Sequence, residues 1–589
     1  MNPYDLCYAY FGWIGRGLSY VFRGVEHDLD AANMKVPPEV YFSFVGFVAI
    51  LSLSGSILVF MLRFTGLMRL SFLPINDAGF ISLLVATPFI VTVIGGFFPK
   101  MMASSRISGL KIEVPYASMY INIMTNGGLS PYESLLRMRN MDLLPNMKEE
   151  VNRIQTIVLS QGVDPLTAMG QAAKVVNMND YKELLLGYVS TVRTGGDTLH
   201  YLHNQTENMF KRLSTRIKAL GENMGVLMEI YTIIAILGVL GLFMVFVVSM
   251  AMPGQGFDIS PKHFFLFSFV FLPGLSILFI YLGDAAQITY PFSNWKTYIM
   301  FAAFSPLGLF FGSQTVLPFF GFQTLIFPPI QDMLCTLRDG LGFAEGTEIA
   351  LGLAITLILI AIPGVIADKY YIGREGNILL GINSFLRDLV ETRKSGLSPE
   401  RCIDALSSRD YGGFSKHLMR INLKLRWGYP MRQIYEEFRE NVKNWLSLVN
   451  IYLLIDTIDV GGGTEESLET LAQFAESTKQ LEDEKKAVLM PLTIVPYIGA
   501  ALLTGTTVMF LQFLTGMSGL GVSIPHVTLY RVLLTPLALH SWVLGLVTGK
   551  ITSGRVSAGF KHAILLALVS VGGVWIVSNL SMGSSMGAP

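Results

Sequence analysis

Long apolar runs recur along the chain, and two long polar stretches interrupt them. A spanning helix needs about 20 mostly apolar residues. Runs of that kind fall at about 41–62, 79–98, 225–251, 263–283, 297–312, 348–368, 488–514, 527–549 and 560–581. The run at 297–312 is short and holds Pro306. It is retained because the polar stretches, 99–224 and 369–487, share one face of a bilayer only if an even number of spans separates them. Both stretches place apolar residues at helical spacing and lack the short alternating runs that strands need. The expected fold class is therefore all-α: a polytopic membrane protein of about nine transmembrane helices carrying two helical-bundle domains.

Lysine and arginine near span ends set the orientation, with the basic side inside. The two polar stretches hold most of these residues. Both are expected in the cytoplasm, with Lys296, Lys550, Arg555 and Lys561 on the same side and Arg63, Arg69, Lys262 and Arg338 outside. The expected layout begins with a cytoplasmic segment 1–40, two spans within 41–98 and a first domain 99–224. Four spans follow within 225–368, with an outer loop 313–347, then a second domain 369–487. Three spans within 488–581 lead to an outer tail 582–589. Residues 1–40 carry Arg16, Arg23, Glu26, Asp28 and Asp30 in place of a basic start, an apolar core and a small-residue cleavage site. No secretory signal is expected there. The protein is expected in the cell membrane, multi-pass, with its N-terminus inside and its C-terminus outside.

The two polar stretches repeat each other. Gly128-Leu129-Ser130-Pro131 recurs as Gly396-Leu397-Ser398-Pro399, at an offset of 268. Thr191 to Thr198, with Gly195 and Gly196, aligns with Thr457 to Thr464, with Gly461, Gly462 and Gly463, at an offset of 266. Gly162 and Gly428 share that second register, as do Leu202 and Leu468. Ser130, Pro131 and Glu133 read as a capped helix start with proline in the first turn. Ser398, Pro399 and Glu400 place an acid where the helix dipole favours it. Asp164-Pro165 opens another helix by the same logic. The glycine turns can adopt positive φ and end a helix abruptly. Each copy then runs through a charged amphipathic helix into an apolar span. Two repeats joined through an even number of spans are parallel, unlike the inverted repeats of many transporters.

A Gly-Leu-Ser-Pro turn, a bundle, and a polar-Gly-Gly turn leading into a span together resemble the F domain of the type II secretion protein F family. That family forms the inner-membrane platform of type IV filament machines. Both copies match, over about 110–250 and 375–514. Bacterial members carry two such domains on about three spans, and the additional spans here look more like the archaeal platforms of the archaellum and of adhesive pili. The resemblance implies a hexameric cytoplasmic secretion ATPase and pilin-like or archaellin-like filament subunits as partners, with no cofactor. A homodimer would suit a symmetric motor, but the sequence does not fix the oligomeric state.

Composition narrows the classes further. Of 589 residues, 51% are hydrophobic and 15% charged, with mean hydropathy +0.50. Soluble proteins carry about 25% charged residues, so a soluble enzyme is disfavoured. Lysine plus arginine and aspartate plus glutamate are both 43, which removes the basic footprint of a nucleic-acid binder. Cys7, Cys335 and Cys402 are too scattered for a disulfide scaffold or a four-cysteine zinc site.

No catalytic, cofactor or metal residues emerge. Gly545 to Ile551 approaches a phosphate-binding loop but is one residue short and ends on isoleucine where a hydroxyl should reach magnesium. His200 and His203 could share a helix face, yet a structural metal site wants four ligands and Glu207 is the only obvious local addition. Glu229 and His540 are isolated ionisable groups within apolar runs, whereas a transport path asks for several. The informative feature is charge. Arg193, Lys211, Arg212, Arg216 and Lys218 cluster in the first copy, and Arg420, Lys424, Arg426 and Arg432 in the second. These are candidate ATPase-docking patches, against the ordinary reading of solvated helix faces or lipid-headgroup contacts. Glu465, Glu466, Glu469, Glu482, Asp483 and Glu484 form an acidic stretch that could pair with the first copy's basic helix. Pro491 and Pro496 are expected to kink the span after the second copy. The leading expectation is a non-enzymatic platform coupling the ATPase to subunit extraction and filament assembly or rotation. The alternative is a transporter or permease subunit with cytoplasmic regulatory domains.

Overall fold

In a computed structural model the chain forms α-helices joined by short turns. It describes residues 3–22, 24–32, 34, 36–64, 77–251, 267–287, 290, 295–316, 327–461, 463–517 and 526–585. Among them no strand occurs. Gly462, residues 263–266 of the expected fourth span, and Phe319 and Phe320 of the expected outer loop lie outside the described residues. So do Arg69, Lys262 and the last four residues. Contacts group the chain into two compact units, Met1–Met209 and Phe210–Pro589.

The first unit opens with α1 (Pro3–Val21), α2 (Val25–Ala31) and α3 (Pro38–Phe64), followed by α4 (Asp77–Asn126). Four helices succeed them: α5 (Pro131–Arg137), α6 (Pro145–Gln161), α7 (Pro165–Val175) and α8 (Asn179–Arg193). α9 (Thr198–Ala251) carries the chain from the first unit into the second. In the second unit α10 (Leu272–Ala286), α11 (Lys296–Thr315) and α12 (Pro328–Leu341) precede α13 (Glu348–Arg393). The series then reads α14 (Pro399–Leu406), α15 (Ser415–Arg426), α16 (Met431–Asn441), α17 (Trp445–Asp459) and α18 (Glu465–Leu489). The chain closes with α19 (Ile494–Met517), α20 (His526–Ser553) and α21 (Gly559–Ser585).

The succession α4 to α9 thus recurs as α13 to α18. The turns recur with it. Left-handed glycines stand at Gly128, Gly162 and Gly195 in the first series and at Gly396, Gly428 and Gly461 in the second. Only glycine takes that conformation without steric cost.

Among the described residues, five helical stretches are long and apolar enough to cross a membrane: Pro38–Ile57, Thr198–Val245, Glu348–Arg393, Glu465–Gln512 and Val556–Ile576. α10 is apolar but shorter. Helices also run through 79–98, 297–312 and 527–549, within α4, α11 and α20. The expected domain limits at 98/99, 224/225 and 368/369 all fall inside unbroken helices.

Proline and glycine explain several local features. α11 continues through Pro306, and its Gly308 and Gly312 let Ile360 and Thr356 of α13 approach so closely that a Cβ would collide. α12 occupies part of the segment expected as an outer loop, with Leu334 fully buried. Arg338 at its end donates to Glu348 at the start of α13 over 2.6 Å. Gly545 and Gly549, the glycines of the apparent phosphate loop, lie within α20 against the backbone of Ala563 and Gly559. Their lack of a side chain permits helix–helix contact, and Lys550 beside them pairs with Asp284.

Candidate functional site

The repeat turns are built by local rules. Ser130 accepts from the Glu133 N–H over 3.2 Å while the Glu133 carboxylate accepts from the Ser130 N–H, with Pro131 in the first turn. Ser398 accepts from the Arg401 N–H over 3.4 Å, again before a proline, Pro399. Asp164 accepts from the Thr167 N–H at the start of α7, and the side chain and backbone of Thr167 together hold its carboxyl below the usual range. The helices after the glycine turns are capped by Asp197, which accepts from the His200 N–H over 3.1 Å, and by Thr464, which accepts from the Ser467 N–H over 3.2 Å. Each satisfies a donor that the helix start leaves orphaned.

In the second repeat the two signature turns touch. A Cβ on Gly463 would lie 2.5 Å from Pro399 Cγ. Arg393, in the last turn of α13, donates to the Gly463 carbonyl over 2.9 Å and to the Leu397 carbonyl over 2.6 Å. One guanidinium therefore clamps both turns. Arg393 was not singled out from sequence, although a basic residue at a helix C-terminus before a glycine turn is a usable signal.

Beyond its first turns, α9 packs alongside α18 and α19. Gly221 meets Val488 so closely that a Cβ would overlap its side chain, Gly225 faces Leu492, and Gly499 faces Thr232. Phe210 and Phe474 lie 5.6 Å apart, and Ser214 donates to the Glu484 carboxylate over 2.6 Å. The glycine contacts share an offset of 267 (221 to 488, 225 to 492, 232 to 499). The caps share it too (197 to 464). The helices run parallel, and these three glycine contacts join residues at the same offset as the caps. Sequence matching around the glycine turns gave 266. The third glycine of the second copy adds a residue before the cap, which accounts for the one-residue difference at the caps. The spacing of Gly221 and Gly225 is that of close-packed membrane helices, a signal the sequence reading did not use.

Comparison with known proteins now bears on this arrangement. The family model of the type II secretion system protein F matches twice, at residues 117–246 and 385–512. Each match begins in the helix before a Gly-Leu-Ser-Pro turn and ends in the apolar helix after the glycine turn. The chain carries two type II secretion system F domains. It is also 19% identical over 509 residues to an uncharacterized protein of Methanocaldococcus jannaschii, covering 82% of each chain. No solved structure matches it. The long apolar helices and the two matched segments make this a membrane protein with two regions similar to the type II secretion system protein F.

The basic patches differ between the F domains. Arg193, at the end of α8, donates to Thr167 over 3.2 Å. It belongs to the first compact unit, whereas Lys211, Arg212 and Arg216 lie on the part of α9 in the second. In the second F domain Lys424 pairs with Glu437 and lies 5.0 Å from the Tyr429 ring centroid. Arg426 donates to Asp404 over 2.8 Å. Hydrogen bonds from Asn422 and Arg426 hold the Asp404 carboxyl below its usual range. Lys424 and Arg426 thus pair within the domain, Arg426 while still exposed, and Arg420 and Arg432 are exposed on α15 and α16. His200, exposed on α9, bonds Asn204 over 2.9 Å. Among the described residues no three His, Cys, Asp or Glu side chains gather as a metal site.

Proposed function

We propose that the protein is the membrane platform of a type IV filament machine of the archaeal pilus or archaellum kind. It couples a cytoplasmic secretion ATPase to extraction of pilin-like subunits and to filament assembly or rotation. The observation that carries this reading is the continuity of α9 from an F-domain bundle into an apolar, span-length helix, paired in register with its counterpart from the other F domain. A displacement imposed on either bundle then has a short, packed route to the apolar helices. Both F domains belong in the cytoplasm, the C-terminus outside, and Arg420 and Arg432 are the residues of the second patch best placed to meet the ATPase.

The test is purification of the tagged native protein in mild detergent, with mass spectrometry of what accompanies it. Recovery of a secretion ATPase and pilin-like subunits supports the reading. Consistent recovery of a soluble binding protein or a transport ATPase instead overturns it.

A further inference from the structure

α12 is tied at both ends to longer helices. The Phe327 N–H, just before its first turn, donates to Gln314 Oε1 in the last turn of α11 over 2.9 Å. At its other end the Trp575 Nε1–H of α21 donates to the Leu341 carbonyl over 3.0 Å. Trp575 is next to last in the apolar stretch Val556–Ile576. Between the two ties, Arg338 bridges to Glu348, the first residue of α13 and the end of that helix farthest from the second F domain.

The two ties stand at nearly one height. α11 runs antiparallel to α13, with Gly308 against Ile360 and Gly312 against Thr356. α21 also runs antiparallel to α13, with Ser557 donating to Asp368 and Phe560 against Gly364. Counted along these registers, Gln314 is level with residue 354 of α13 and Trp575 with residue 349. Five residues separate those levels, about 8 Å at about 1.5 Å per residue, whereas α12 itself is about 21 Å long. Its axis therefore lies mainly across the ends of the three helices and not along them.

Three rows run the length of α12. Ile330, Leu334 and Arg338 face the protein, and Leu334 is fully buried in one cluster with Phe343, Leu351 and Tyr530. Met333, Leu337 and Leu341 form the neighbouring row and are 44%, 39% and 55% exposed. Asp332, Thr336 and Asp339 form the third, also exposed. At about 100° per residue the exposed apolar row stands about 60° from the buried row, and the polar row is roughly opposite both. The polar side thus points away from the helix ends, while the apolar row points with Leu334 toward them.

What covers that row follows from the surface it continues. Leu341 adjoins Trp575 and Ile576, both exposed on α21, and Phe327 adjoins α11 one turn beyond its exposed Phe310. Outward side chains on the spans of a membrane protein meet acyl chains. The row of α12 carries this surface from the sides of the spans into the plane where they end, the level at which tryptophan rings and arginine stems gather. A helix lying there with one apolar and one acidic side matches the boundary between headgroups and acyl chains.

We propose that α12 is a membrane helix lying in the surface of the leaflet farthest from the second F domain. Met333, Leu337 and Leu341 enter the acyl boundary, while Asp332, Thr336 and Asp339 stay in water. The occupant of the exposed row is the bilayer itself. The inference goes beyond the platform reading and holds or falls without it.

The full-length protein in lipid nanodiscs tests it, with Cys7, Cys335 and Cys402 replaced by alanine and a nitroxide attached singly through Leu337→Cys or Asp339→Cys. The ratio of oxygen to nickel-chelate accessibility, read by electron paramagnetic resonance, should be at least about fivefold higher at 337 than at 339. Equal ratios at the two positions overturn the proposal. Should the cysteine-free chain fail to fold, a benzophenone side chain at position 337 of the native chain gives the second reading. Adducts with nanodisc lipid support the bilayer as occupant; adducts with another copy or a co-purified protein alone, or no adduct, overturn it.

Discussion

Gly221 presses against Val488, the residue 267 positions later that occupies its own place in the other repeat. The contact is possible only because glycine has no Cβ. Two similar halves need not touch; this contact makes their helices one parallel pair, with small residues setting the separation.

Substituting Gly221→Leu should therefore cost stability by overpacking, about 1–3 kcal/mol, and should reduce recovery of monodisperse protein in detergent. Gly221→Ala should be milder, and Val488→Ala introduced beside it should restore much of the loss. Thermal unfolding of the solubilised variants measures both. If Gly221→Leu melts like the parent chain, the close pairing of α9 with α18 is wrong.

Arg393→Ala should release the two turns of the second F domain. Charge-assisted hydrogen bonds contribute about 1.5–3 kcal/mol, and two are lost. Arg393→Lys should rescue poorly, since an ammonium lacks the fork that reaches two carbonyls. Limited proteolysis near Leu397 and Gly463 should speed up in both variants.

Glu113 predicts a pH dependence. It lies beyond the apolar segment of α4 and accepts from the Met147 N–H over 2.8 Å and from Asn146 over 2.6 Å, closing the start of α6. Burial outweighs those bonds and raises its carboxyl from 4.5 to about 7. The folded chain thus keeps a proton that the unfolded chain gives up, so this stabilising contribution is complete below about 4.5 and is lost as pH rises through about 7. Glu113→Gln should flatten the decline in melting temperature across that window. An unchanged slope would assign the dependence to other groups.

The two prolines after α18 should behave differently. A 3-10 turn, Met490–Thr493, separates α18 from α19, and Pro491 sits in it. Pro496 lies in the first turn of α19, where a missing N–H costs little, so the expected kink there is not needed. Pro491→Ala should fuse the two helices into one like α9, detectable as a longer, stiffer inter-label distance by electron paramagnetic resonance. Pro496→Ala should change stability by less than about 0.5 kcal/mol. Filament assembly unaffected by Pro491→Ala would remove any necessary role for the break.

Much of the architecture was legible because it follows from local rules. Ser130, Ser398 and Asp164 announced helix starts through spacing alone, and Gly128, Gly162, Gly396 and Gly428 marked the turns that anchor the repeat. What sequence could not give depends on chain folding back on itself. Lys424 and Arg426 read as free cations until Glu437 and Asp404 were brought beside them from other helices. Arg393 became meaningful only when Gly463 and Pro399 met. The one-residue shift to an offset of 267 needed the caps, because an added glycine in a triplet leaves no trace in residue identity. The exposed row of α12 was hidden for the opposite reason: Met333, Leu337 and Leu341 have the period of a core face, and only the packing says that the core takes the neighbouring row.

The fit of Gly221 against Val488 also keys the two helices like a shaft and its slot. Turning α9 by a single residue, about 100°, would bring Leu220 or Glu222, each far larger than glycine, against the Val488 side chain. Rolling in place is therefore opposed by packing, and α9 within the second unit is free to move only together with α18 and α19.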